Sequence, residues 1–173
     1  MPRGAPIGTG NDNPPFRFYG RRKGRKLRPR RQHLVDEVLP QLRIDLQDAA
    51  TPDRLFDFAP AEIWLEIGFG GGEHLAWQAR ANPEIGLIGA EPYINGIATL
   101  LARLEDDPAA NIRIWPEDAR PLLTALPQAS LARVFILHPD PWPKTRHAAR
   151  RIVGPETLEL LAAAMADGAS LRI

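Results

Sequence analysis

The sequence predicts a doubly wound α/β domain, a mostly parallel sheet with helices on both faces. Three observations carry that expectation. From residue 61 onward, short apolar runs of strand length alternate with stretches of helical periodicity. The links between them are short, as strand–helix–strand crossovers require. Acids stand where successive apolar runs stop, at the strand ends where such sheets bind ligands. With 173 residues, 44% of them hydrophobic, the chain is long enough for one domain with a sizeable core.

Each element is justified in order. Residues 1–16, rich in Gly, Pro and Asn, are expected to be disordered, and residues 17–31 carry nine basic side chains and no acid. From Gln32 to Asp48 the positions Leu34, Val35, Val38, Leu39 and Leu42 recur at helical spacing, with Pro40 a break or kink. Strands are expected at "EIWLEIG" (62–68), "IGLIGAE" (85–91), "NIRIWPED" (111–118), "LARVFILHPD" (131–140) and "ASLRI" (169–173). Helices are expected at "EHLAWQARA", "INGIATLLARLED", "ARPLLTAL" and "PETLELLAAAMAD". The organisation is thus an arm (1–31), a helix and linker (32–60) and a domain (61–173).

Charge is segregated along the chain. Residues 1–31 hold ten Lys or Arg against the single acid Asp12, and the remainder hold twelve against twenty. A basic arm on a mildly acidic body points to a polyanionic partner, and Phe16, Phe18 and Tyr19 among the arginines favour nucleic acid, because rings stack on bases while guanidiniums take phosphates. There is no cysteine, hence no disulfide or thiolate metal site, and no apolar run long enough for a signal peptide core or a membrane span. A cytoplasmic location is expected, with no membrane partner. His33, His74, His138 and His147 show no ligand spacing, so no metal is expected.

The loop "EIGFGGGE" resembles a dinucleotide fingerprint, but Glu73 occupies the third glycine position and Glu66 stands just before the loop. Carboxylates there oppose a pyrophosphate by about 4 kcal/mol per unit-charge pair at 4 Å in an effective dielectric near 20. S-adenosylmethionine has no phosphate and carries a sulfonium and an ammonium. Gly68 and Gly70 let the backbone approach such a ligand, Glu91 suits its ribose hydroxyls, and Asp118 suits its adenine amine or methionyl end.

In "HPDPWPKTRHAARR", Pro139, Pro141 and Pro143 fix three φ angles and are expected to hold Asp140 and Trp142 extended. A stiff loop would then aim a carboxylate and an aromatic plane at the cofactor mouth, with Lys144, Arg146, Arg150 and Arg151 behind to hold a phosphate backbone.

The motifs "EIGFGGGE", "GAEPY", "EDA" and "HPDPWPKTRHAARRI", with the arm "GRRKGRKLRP", resemble the bacterial tRNA (guanine-N7-)-methyltransferase family from the arm to the last residue. The resemblance implies a Rossmann-like class I S-adenosylmethionine-dependent methyltransferase domain, with the product 7-methylguanosine in the tRNA variable loop. It assigns Glu66, Glu91 and Asp118 to the cofactor, beside Gly68 and Gly70 of the loop read above. Asp140 falls to catalysis and cofactor proximity, Lys144 to substrate, and the segment from Arg146 through His147 to Arg150 and Arg151 to RNA. Trp142 is a candidate stacking partner for the base. Where the family carries a further basic residue, this chain has Ala149. The family also continues past a strand like "ASLRI" with further strands and substrate-binding residues. The chain ending at Ile173 is therefore expected to be poorly soluble or inactive alone, and the gene product to be longer. Monomer and homodimer both stay open. Rival readings are a methyltransferase acting on an exocyclic amine and a non-catalytic tRNA-binding subunit.

Overall fold

The computed structural model describes residues 20–140 and 142–173. The expected disorder of residues 1–16, the rings Phe16, Phe18 and Tyr19, and Pro141 lie outside them.

Five strands, β1 (Ile63–Ile67), β2 (Gly86–Ala90), β3 (Ile112–Trp115), β4 (Leu131–Phe135) and β5 (Met165–Arg172), form one sheet in the order β3-β2-β1-β4-β5. All four pairings are parallel, for example Leu65 with Ile88 and with Val134. Between strands run α3 (Glu73–Ala81), α4 (Ile94–Asp106), α5 (Ala119–Ala125) and α6 (Pro155–Ala164). Every residue of β1 and β2 is buried, as strands covered on both faces must be. Alternation divides the core. Ile63, Leu65 and Ile67 face the layer holding Leu122, Leu126 and Leu161, whereas Trp64 faces Leu75, Leu100 and Leu101 on the other side.

The lead-in differs from the single helix expected over 32–48. Helix α1 (Pro29–Glu37) starts earlier, on Pro29, whose fixed φ suits the first turn. A separate α2 (Leu39–Leu42) carries Pro40 in its own first turn, and Val38 joins the two. The chain then leaves the helix because Ile44 donates to Ile114 O at 2.9 Å, covering the outer edge of β3, and 3-10 turns follow at Asp48–Ala50 and Pro52–Leu55.

Two boundaries also move. The fourth strand stops at Phe135 instead of reaching Asp140, because His138 turns the chain at φ 54° and the prolines beyond lack ladder donors. Helix α6 ends at Ala164, and β5 begins at once instead of at Ala169. The amides of Ala129 and Ser130 cap the carbonyls of Ala163 and Ala164 at 3.0 and 2.8 Å, so the turn before β4 ends the helix.

Candidate active site

A cavity of about 520 Å³ opens where β1, β2 and β4 end, beside the point at which the chain reverses its winding direction between β1 and β4. Ile67, Gly68 and Ala90 form its floor, and Glu91, Glu117, Asp118 and Asp140 bring four carboxylates to its walls. That size holds a nucleoside-sized ligand.

The loop after β1 turns through left-handed backbone at Gly68, Gly70 and Gly72, with φ 74°, 56° and 75°. It is held from two sides. A Cβ at Gly96 would overlap the carbonyl of Gly70, so α4 rests directly on the loop. Glu91 Oε2 accepts the Gly70 N–H at 2.8 Å, while its Oε1 accepts the Tyr93 N–H at 2.8 Å. Burial pushes the Glu91 carboxyl above its ordinary range and the nearby charge of Asp140 adds to this, against the two backbone donors.

Glu66 lies elsewhere. Strand alternation turns it to the α3 side, where it is 3% exposed and pairs with His74 Nδ1 at 2.8 Å. Burial raises its carboxyl, opposed by His74. Gly70 likewise stands behind the cavity wall and reaches it only through Glu91.

Asp118 caps α5, accepting the Arg120 N–H at 2.9 Å, and it also accepts from Arg120 Nε at 3.0 Å and Nη2 at 2.6 Å. Arg120, raised chiefly by its hydrogen bond to Asp118, reaches on to Glu156 at 3.5 Å. Sequence reasoning missed Arg120. A signal existed, since a cation in the first turn of a helix opposes the helix dipole and needs a local partner.

The Asp140 loop departs from the extended path expected for Trp142, which has φ 34°. Tertiary contacts override the local preference before Pro143. Arg151 donates to the Trp142 carbonyl from Nε at 3.2 Å and Nη2 at 3.0 Å, the Arg150 guanidinium lies 5.0 Å over the indole, and the His147 ring meets its edge at 5.6 Å. The structure thus gathers Gly68, Glu91, Asp118, Asp140, Trp142, Arg150 and Arg151 around one cavity. Lys144 and Arg146 stand exposed outside its walls, with His147 half-buried behind Trp142. Also unforeseen were Tyr93 and the arm residues Gly20 and Arg21 in the cavity wall. Among the described residues no cluster of His, Asp or Glu is arranged to hold a metal ion, and no helix is long and apolar enough to cross a membrane.

Residues 60–173 match the family described as "Putative methyltransferase". The chain is 49% identical over 162 residues to the tRNA (guanine-N(7)-)-methyltransferase of Rhodospirillum rubrum, covering 91% of this chain and 64% of that protein. The same-named protein of Paramagnetospirillum magneticum is 50% identical over 161 residues (91% and 68%), and that of Ruegeria pomeroyi 48% identical over 171 (95% and 72%). The chain therefore spans about two thirds of the length of these curated relatives. Among solved structures, the 16S rRNA (adenine(1408)-N(1))-methyltransferase from Catenulisporales acidiphilia superposes with TM-score 0.50 at 22% identity, over 74% of this chain and 57% of that one. A Haemonchus contortus N-methyltransferase gives TM-score 0.50 at 18% identity, over 72% and 27%. These likenesses establish the Rossmann-like methyltransferase fold, and the sequence matches go further: the chain belongs to the tRNA (guanine-N(7)-)-methyltransferase family.

Proposed function

We propose that this chain carries the donor pocket and catalytic loop of an enzyme that methylates N7 of a guanine in the variable loop of tRNA, in the cytoplasm, with S-adenosylmethionine as donor. The observation that carries the reading is the cavity at the strand ends, where Glu91, Glu117 and Asp140 stand near the glycine loop and share the wall with Arg150 and Arg151. Glu91, Glu117 and Asp140 suit a cationic, phosphate-free nucleoside, Asp118 is paired with Arg120, and Arg21, Arg150 and Arg151 in the same wall suit the RNA phosphates. The names of the relatives at about 50% identity support the same substrate.

S-adenosylmethionine, when bound, supplies an electrophilic methyl group on a sulfonium. Gly68, Glu91 and Asp118 would hold it, with the Gly70 N–H tied to Glu91 and Glu66 buried behind against His74. Guanine N7 presents an in-plane lone pair, so no side chain has to remove a proton. The protein's task is alignment, where proximity and orientation supply about 7–11 kcal/mol, and stabilisation of the positive charge arriving on the purine. Asp140, exposed at the rim, is of the right type to accept from guanine N1–H and the exocyclic amine and to offset that charge. Trp142 acts through the arginines it holds, and Lys144, Arg146 and His147 extend the phosphate-binding surface outward.

The test incubates the parent protein and Asp140→Ala with labelled donor and unmodified tRNA, then cleaves the product at 7-methylguanosine. We expect cleavage at one guanine and a loss of about 10²-fold or more in the variant. Label on N2 or N6 would overturn the reading in favour of exocyclic amine transfer. Binding of tRNA without binding of donor would replace it with a non-catalytic subunit.

A further inference from the structure

The basic arm reads in the sequence as a tether for RNA, yet its described part runs along α4 and ends in the cavity wall at Gly20 and Arg21. We infer that Asn95 is a positioning residue that seats the arm there, so that the arm completes the donor pocket as well as serving the nucleic acid. The inference rests on the donor reading given above and adds a residue and a segment to it.

Residues 20–28 form no helix or ladder, so nothing repetitive sets their register. One side chain does. Asn95 Oδ1 accepts the Gly24 N–H at 2.8 Å, and Asn95 Nδ2 donates to the Arg25 carbonyl at 2.7 Å. A primary amide meets a backbone donor with its oxygen and a backbone acceptor with its nitrogen, two separate atoms, whereas a carboxylate only accepts and a hydroxyl must do both from a single atom. Next to it, the Ile94 N–H, one of the amides that a helix start leaves without an internal partner, donates to the Arg22 carbonyl at 3.0 Å. Gly24 fits because it has no side chain, since a Cβ there would overlap the Tyr93 hydroxyl. At the far end of α4, Arg30 pairs with Glu105 at 2.5 Å and Asp106 at 3.2 Å. The arm is therefore gripped at both ends of one helix, at its start by the Ile94 N–H and the Asn95 side chain and at its end by Glu105 and Asp106. Tyr93 joins the two sites, because its N–H holds Glu91 while its ring borders Gly24.

The test uses two variants that break the grip from opposite sides, Asn95→Ala and Gly24→Val, in the full chain. Trypsin cleavage after Arg22, Lys23 and Arg25 is followed by mass spectrometry, and S-adenosylhomocysteine binding by calorimetry. Losing two hydrogen bonds should speed cleavage of the arm about tenfold in Asn95→Ala. S-adenosylhomocysteine affinity should fall by a similar factor, and the KM for donor should rise while kcat at saturating donor holds. Because Gly24 lies outside the core, Gly24→Val keeps the test decisive if Asn95→Ala folds poorly. Unchanged cleavage in both variants, or faster cleavage with unchanged affinity, overturns the inference. A parent protein that fails to bind S-adenosylhomocysteine strikes the donor reading instead, and cleavage alone then decides whether Asn95 seats the arm.

Discussion

Glu91 ties the cofactor side of the site to pH. Its carboxyl sits above the ordinary 4.5 because burial disfavours the charge. The folded protein therefore holds that proton more tightly than the unfolded chain does, and the stability contributed by the protonated group is lost as pH rises through the raised value. Donor binding runs the other way, because protonation removes the charge facing a cationic ligand. Calorimetric titrations across pH should show S-adenosylmethionine affinity beginning to fall on acidification while still above pH 4.5. In Glu91→Gln that contribution should be absent and the affinity lower throughout. Trp142→Ala removes the surface on which Arg150 lies, and filter binding should show tRNA affinity weakened by about 0.5–2 kcal/mol. At this scale the placement of Glu91, Asp118 and Asp140 in one cavity wall was legible because each follows a run of strand character. Glu66 carries the same motif signal, and the parity of Ile63, Leu65 and Ile67 sends its side chain toward His74. The turn at Trp142 was illegible, as contacts from Arg150 and Arg151 decide it.

At the scale of elements, α4 serves as the spine of the site. Its Gly96 lets it sit against the Gly70 carbonyl, its Leu100 packs under Gly72, and its start carries the arm. Gly96→Ala must push helix and glycine loop apart, and thermal melts should show a loss of about 1–3 kcal/mol, accompanied by weaker donor binding. Leu100→Ala, at a fully buried position, should cost about 2–5 kcal/mol without singling out the donor. Strands and helices from residue 61 were legible because alternating apolar blocks survive any detail of packing. Their ends were not. The first residue of β5 and the last of α6 depend on amides of the turn before β4, and the early exit from α2 depends on pairing of Ile44 with β3.

Across the whole molecule, a basic segment along α4 reaches the wall of a cavity in which carboxylates and arginines are gathered together. The arm's Lys23 and Lys26 are both exposed. Replacing both with Gln should lower the slope of log tRNA affinity against log salt by about 1.4–1.8, if each neutralises one phosphate. The docking of that arm on α4 could not be read from its composition, which describes a solvated basic segment equally well. The central claim is that the cavity accepts a cationic nucleoside without phosphate. Calorimetry of the parent protein with S-adenosylmethionine, and then with a nicotinamide dinucleotide in competition, tests it most directly. Saturable donor binding that the dinucleotide does not displace is the predicted result, and a dinucleotide that binds and expels the donor would contradict it.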